Sequence, residues 1–276
     1  MGYQREPFLP IDFDHIFPDP LHLFLRISDV LINKFVSEIL ENLASTCEHR
    51  SNCKCPQGAS LTAVTREAKK VGVSLYFWYK EEKEKPGGGK IKWTSLMGHE
   101  RYKLMKALNF YALLPDNRAG KYRKLWDEFL ALVDFINADA LYTPQETTKF
   151  QKRAKNWVAL LTEKSKGNPK SDTYELGMCD EKSITPYVHC LTQHMKEFLD
   201  LSKTIGIPLR HFSSEPVEKK NHIHTQLFYS KTRMDGMNGK SSVEEILEVE
   251  NREIYFNHLH ESLQHPSQKK CHIFCS

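Results

Sequence analysis

One recurrence constrains this chain more than any other feature: after Asp19-Pro20, apolar or small residues return every three or four positions, at Leu21, Phe24, Ser28, Leu31, Phe35, Ile39 and Leu43. That period belongs to a single helical stripe. Asp19 can accept hydrogen bonds from the free amides of a first turn, and Pro20 suits the first helical position, where its missing N–H costs nothing. A helix over about residues 20–44 follows.

The same signal continues down the chain. A second helical stretch is expected from about Leu61 to Lys85, stopped by Pro86-Gly87-Gly88-Gly89, and a third from Met97 to Leu114. Beyond Pro115-Asp116-Asn117, the residues Tyr122, Leu125, Trp126, Phe129, Leu132, Val133 and Ile136 mark one helical face. Thr143-Pro144 with Glu146 forms a capping box opening a helix through Phe150, Trp157 and Leu161. Residues 20–165 therefore read as a helical bundle. Residues 164–183 are poor in apolar side chains and rich in turn formers, so a boundary or mobile loop is expected there. Thr185-Pro186 starts a further helix, a short extended piece is expected at Leu209–Phe212, and two helices close the chain. One of these spans about Pro216–Lys231; the other starts at Ser242, with Glu245 completing a capping box. The expected organisation is a helical domain over 1–165, a linker or loop over 166–183, and a C-terminal helical region over 184–276.

The 276 residues, 40% of them apolar, suffice for one large domain or two ordinary ones. No apolar run approaches the roughly 20 residues that span a bilayer, and MGYQREPFLP lacks a signal-peptide pattern, so no membrane role is expected and a nuclear or cytoplasmic location is. Seven cysteines without a secretory signal point to reduced thiols rather than a disulfide framework. The net charge of +4 is far below that of a domain held to nucleic acid by bulk charge, so any DNA contact must come from local patches.

Three segments carry residues suited to chemistry. TPYVHCLTQH holds His189 and His194, and neutral imidazoles are common zinc ligands. On a regular helix a separation of five sets them about 140° apart, which disfavours a shared metal and suits one partly buried and one exposed ring. SSEPVEKKNHIHTQLF sets Glu218, Asn221 and Thr225 along one helical face, with Lys219 and Lys220 beside them. A carboxylate next to amide and ammonium groups could hold a divalent metal beside phosphate oxygens, although the same residues also suit a solvated helix face. Finally, Cys47, His49, Cys53 and Cys55 offer zinc-type donors, but at a spacing unlike the usual knuckles, which favours a polar loop with reduced thiols over a metal site.

The order of these segments resembles the C-terminal part of Transib transposases and of the catalytic subunit of the recombination-activating recombinase. The residues that carry the resemblance are Asp19-Pro20-Leu21-His22, GHERYKLM from Gly98, LLP at Leu113 to Pro115, KLWDEFLALV, ITPYVHCLTQH, TIG from Thr204, and SSEPVEKKNHIHTQLF. Together they cover about Pro7 to Phe256.

The resemblance implies a mainly α chain: a helical insertion domain plus the C-terminal acidic helix of an incomplete RNase H-like recombinase core. It implies that Glu218 is the last of three catalytic carboxylates, which act with Mg2+ or Mn2+ only in a complete active site. It implies that His189 and His194 are half of a structural zinc site. DNA-facing roles follow for Lys219, Lys220, Asn221, Lys231 and Arg233, and for Arg101 and Lys103 near Gly98. The family's other two carboxylates and its Cys-x-x-Cys precede the matched region, and Asp12 and Asp14 stand where the family has no metal ligand. The expected partners are DNA and a complementary recombinase segment or a second copy of the chain. The expected function is that of a recombinase fragment that binds DNA and divalent metal without cleaving alone; the alternative is a helical protein-interaction module without catalysis. A hydrolase built on Glu218 with His222 or His224 lacks a recognisable constellation.

Overall fold

The computed structural model describes residue 11 and residues 15–46, 59–81, 89–168, 171, 174–179, 184–232 and 241–264. The chain divides into two compact units, Met1–Ser214 and Glu215–Ser276. It is mainly helical, as expected.

The first unit is assembled around α1 (Pro20–Thr46) and α4 (Asp116–Asn137). Asp19 accepts a 3.0 Å bond from the Leu21 amide, the first-turn role its position suggested. Phe24, Ser28, Leu31, Phe35 and Ile39 are all buried, as are Tyr122, Leu125, Trp126, Phe129, Leu132, Val133 and Ile136 of α4. Phe35 meets Phe110, Tyr122 and Trp126 edge to face at 5.3, 5.5 and 5.9 Å, the arrangement aromatic quadrupoles favour. α5 (Pro144–Leu161) adds Trp157, whose indole N–H donates to the Leu125 carbonyl at 3.0 Å. Its capping box forms as the sequence suggested: the Thr143 amide donates to Glu146 at 2.7 Å and the Glu146 amide to the Thr143 hydroxyl at 3.4 Å.

The stretch expected to be one helix over 61–85 is instead α2 (Ala59–Lys70) followed by an antiparallel hairpin of β1 (Phe77–Glu81) and β2 (Gly89–Trp93). Two causes act together. Gly72 takes the left-handed conformation (φ +74°), and its amide bonds Lys69 O while that of Val73 bonds Ala68 O, which terminates the helix. The following run, Val73 to Tyr79, is dense in branched and aromatic side chains that favour strands. The third helix is also shorter than expected: α3 (Gly98–Ala107) gives way to a 3-10 turn at Phe110–Ala112.

Residues 164–183, expected as a boundary, are tied into the first unit where they are described. Arg118 pairs with the buried Glu38 (2.7 and 2.5 Å) and donates to the carbonyls of Leu176 (2.7 Å) and Gly177 (3.3 Å). The Tyr122 hydroxyl donates to the same carboxylate at 2.7 Å, and Met178 and Cys179 are buried. After these residues come α6 (Pro186–His189), a π-helical turn (Cys190–His194), α7 (Met195–Ile205) and a 3-10 turn at Leu209–Phe212 in place of the extended piece. The second unit holds α8 (Glu215–Lys231) and α9 (Ser242–Gln264). The capping box of α9 uses Ser241 and Glu244, one residue earlier than expected.

Candidate functional site

Helix α6 begins where Thr185 caps it, its hydroxyl accepting from the Val188 amide at 3.3 Å. After one turn the ladder widens. Met195 N–H bonds the Cys190 carbonyl, five residues back, and the intervening turn is π-helical. The buried Thr192 hydroxyl takes the Val188 carbonyl at 2.9 Å, a back-bond that competes with regular helical pairing. The extra residue in this turn overturns the expected 140° separation: His189 Nε2 and His194 Nε2 lie 3.2 Å apart. His194 Nδ1 lies 3.3 Å from Glu197 Oε2, a carboxylate placed to fix that ring's orientation. Both rings are exposed, while Val188, Leu191 and Met195 bury the opposite side of the segment.

Such a pair can share a proton, one ring donating to the other, or clasp a cation. For zinc–nitrogen bonds of about 2.0–2.1 Å, nitrogens 3.2 Å apart subtend about 100–106° at the metal, close to tetrahedral. The pair therefore fits two of the four positions of a zinc site. Among the described residues, no group of three or more His, Cys, Asp and Glu side chains converges as a metal site. Cys47, His49, Cys53, Cys55, Asp12 and Asp14 lie outside the described residues.

Helix α8 carries Glu218 in its first turn, where a negative charge complements the helix dipole. Glu218, Lys219, Asn221 and Lys231 are exposed. Lys220 is engaged within the second unit: its ammonium pairs with Glu250 of α9, which also contacts His224 Nε2 at 2.5 Å. These two partners hold the Glu250 carboxyl below the usual range. Sequence reasoning missed Glu250, since nothing in the spacing of α9 singles it out among its other acidic residues. Arg233 lies outside the described residues.

The expected DNA-facing role of Arg101 meets a physical obstacle. The residue is 6% exposed, and its side chain donates to Leu96 O at 2.8 Å and to Ser28 Oγ at 3.2 Å and pairs with Asp29. Arg101 thus ties α3 to α1, whereas Lys103 on the same helix is exposed.

The Asp-Pro-Leu-His segment has a structural task as well. Asp19 bonds His22 Nδ1 and accepts from the Ser214 amide (3.0 Å) and hydroxyl (2.5 Å). Burial alone would raise the Asp19 pKa, but these bonds outweigh it and hold the carboxyl below its ordinary value. A nucleophilic relay needs Ser at the ring nitrogen opposite the Asp. Here the Ser214 hydroxyl lies 3.3 Å from the same Nδ1, so the trio is a staple and not a relay. Beside it Phe17 stacks on Phe212 at 3.9 Å.

Comparison with protein-family models, with curated proteins and with solved structures finds no match. No helix among the described residues is long and apolar enough to cross a membrane.

Proposed function

We propose that this chain is part of a DNA-recombining enzyme of the Transib and recombination-activating type, binding DNA and a divalent metal but not cutting DNA unaided. The observation that carries the proposal is the convergence of His189 and His194 in ITPYVHCLTQH, at a separation suited to chelation and with Glu197 behind one ring. A paired donor set of this kind serves as a half-site that a second segment completes with two thiolates. Glu218 supplies one carboxylate of the three that would hold Mg2+ or Mn2+ in the RNase H-like core. Such ions, when bound, activate the attacking oxygen and stabilise the leaving one.

Zinc titration of the full chain followed by calorimetry tests the reading. The expected result is weak binding with one equivalent per chain, abolished in His189→Ala and in His194→Ala. Binding that survives both substitutions, or no binding at all, contradicts it.

A second reading, a helical module that binds protein, draws support from the exposed apolar residues Val217, Tyr229, Val243, Leu247, Ile254, Tyr255 and Phe256 of α8 and α9. Under that reading the chain shows no affinity for DNA even at low salt.

A further inference from the structure

Helix α1 carries a second stripe beside the one that enters the core. Arg26, Asp29, Asn33, Ser37 and Leu40 recur at three and four residues and therefore share one side of the helix. This stripe and β2 together border a cleft of about 690 Å³, a size typical of pockets for small organic ligands. β2 pairs with β1 along one edge only, so residues from both faces of the strand border the cleft.

Among the described residues, four charged side chains line it: Arg26, Lys92 and Arg101 against Asp29. Asp29 pairs with Arg101 and lies 4.0 Å from Arg26 Nη1, and the lining keeps an excess of two positive charges. Arg101 is the informative member. The fold holds it through Nε, which donates to Leu96 O, and through Nη1, which meets Leu25 O, Ser28 Oγ and Asp29. Its Nη2 makes no hydrogen bond among the described residues, although the residue is only 6% exposed. Nor is Nη2 sealed in protein, since the buried side-chain nitrogen or oxygen that lacks a partner among those residues is Trp126 Nε1. Nη2 is therefore reached from the cleft that Arg101 lines, with two N–H groups to donate. A guanidinium so deeply set does not reach the backbone of a duplex, but a small anion entering the cleft reaches it.

The rest of the wall is apolar. Val36, Leu40, Ile91 and Trp93 supply it, and Trp93 is fixed there by a 2.8 Å bond from its indole N–H to Asn33 and by the Arg101 guanidinium 5.5 Å from its ring centroid.

We infer that this cleft binds a small organic phosphate monoester, its phosphate meeting Arg101 Nη2, Arg26 and Lys92 and its organic body lying on the apolar wall. A monoester carries about −1.5 to −2 charges at pH 7, which matches the excess in the lining, whereas a carboxylate neutralises only half of it. Guanidinium–phosphate hydrogen bonds are charge-assisted and about twice as strong as neutral ones. The site uses no residue of α6 to α8, and the inference stands apart from the reading given above.

Calorimetric titration of the full chain with phenyl phosphate tests it. Phenyl phosphate is expected to bind, with benzoate and inorganic phosphate each about tenfold weaker, one for lack of charge and the other for lack of a body. Adenosine monophosphate identifies the source of the monoester: tighter binding than phenyl phosphate supports a nucleotide, weaker binding supports a smaller aryl or alkyl phosphate. Arg26→Ala and Lys92→Ala alter exposed side chains, so unchanged circular dichroism is expected of both, with affinity for phenyl phosphate lowered about tenfold in each. Ser37→Trp, a substitution at another exposed lining position, fills the cleft and should abolish binding. No binding of either monoester, equal affinity in wild type and these three variants, or benzoate binding as tightly as phenyl phosphate would each overturn the inference. Displacement of phenyl phosphate by a duplex without terminal phosphates would also overturn it, and would make the cleft a contact for the nucleic-acid backbone.

Discussion

The two units of this chain are held by different forces. The first buries a continuous aromatic and aliphatic core that includes Phe35, Phe110, Tyr122, Trp126 and Trp157, with the Arg118–Glu38–Tyr122 network enclosed within it. In the second, Leu227 is the buried apolar residue among those described, at 8% exposure, and α8 meets α9 through Glu250 with Lys220 and His224. A helix pair so thinly packed derives little stability from burial, since most helical stability in proteins comes from an amphipathic face finding a partner. Polar residues of the first unit such as Glu38 and Asp19 are consumed by the fold. In α8, by contrast, Glu218 and Lys219 stand exposed at the surface.

Substitutions in each unit put this contrast to the test. Trp126→Ala should cost about 3–5 kcal/mol through cavity formation and unfold much of the first unit, read as a lowered urea midpoint by circular dichroism. Glu38→Ala should cost a similar amount, about 3–5 kcal/mol, because Arg118 would keep a buried charge with no carboxylate to meet it. Leu227→Ala, by contrast, should cost no more than about 2 kcal/mol, and amide exchange should report the loss in α8 and α9 while leaving α4 protected. If Leu227→Ala lowered protection in α4 as much as Trp126→Ala does, the two units would be one cooperative body and the contrast would fall. A smaller effect, about 1–2 kcal/mol, is expected from Gly206→Ala. Gly206 sits at φ +74° after α7 with open space where a Cβ would go, so backbone strain alone is at stake.

How much of this was legible in the residues depended on the range of the cause. α1, α4 and α5 declared themselves because stripe, cap and stop lie within one segment. The hairpin did not, since its aromatic run sits next to lysines and glutamates that suit a helix surface equally well. The His189–His194 approach was hidden by one extra residue in a turn, set by a hydroxyl back-bond that periodicity does not register. The burial of Arg101 depends on Asp29, 72 residues away, and spacing arguments do not reach so far. The TIG segment, noticed as part of a resemblance, has a local cause as well: Gly206 closes α7 in a left-handed turn, its amide bonding Lys203 O and that of Ile207 bonding Ser202 O.

Acidification distinguishes the units more gently. Glu250 has a depressed pKa, so its contribution is present above the ordinary glutamate range and is lost as pH falls through its lower folded value. The α8–α9 pairing should therefore loosen on acidification, and amide exchange in α8 measured from neutral pH downwards should show it. Asp19 has the same sign, and its staple on Ser214 should persist at neutral pH and weaken in acid.

The proposed contribution of this chain to a DNA-recombining active site that it does not form alone can be checked with a duplex incubated with the chain and Mn2+. One carboxylate cannot hold two cations about 4 Å apart and still leave room for the attacking and departing oxygens. Salt-sensitive binding of the duplex, weakened in Lys219→Ala, is expected, with no nicking or strand transfer. Metal-dependent nicking by the wild-type chain that disappears in Glu218→Ala would contradict it, because the chain would then hold a complete active site.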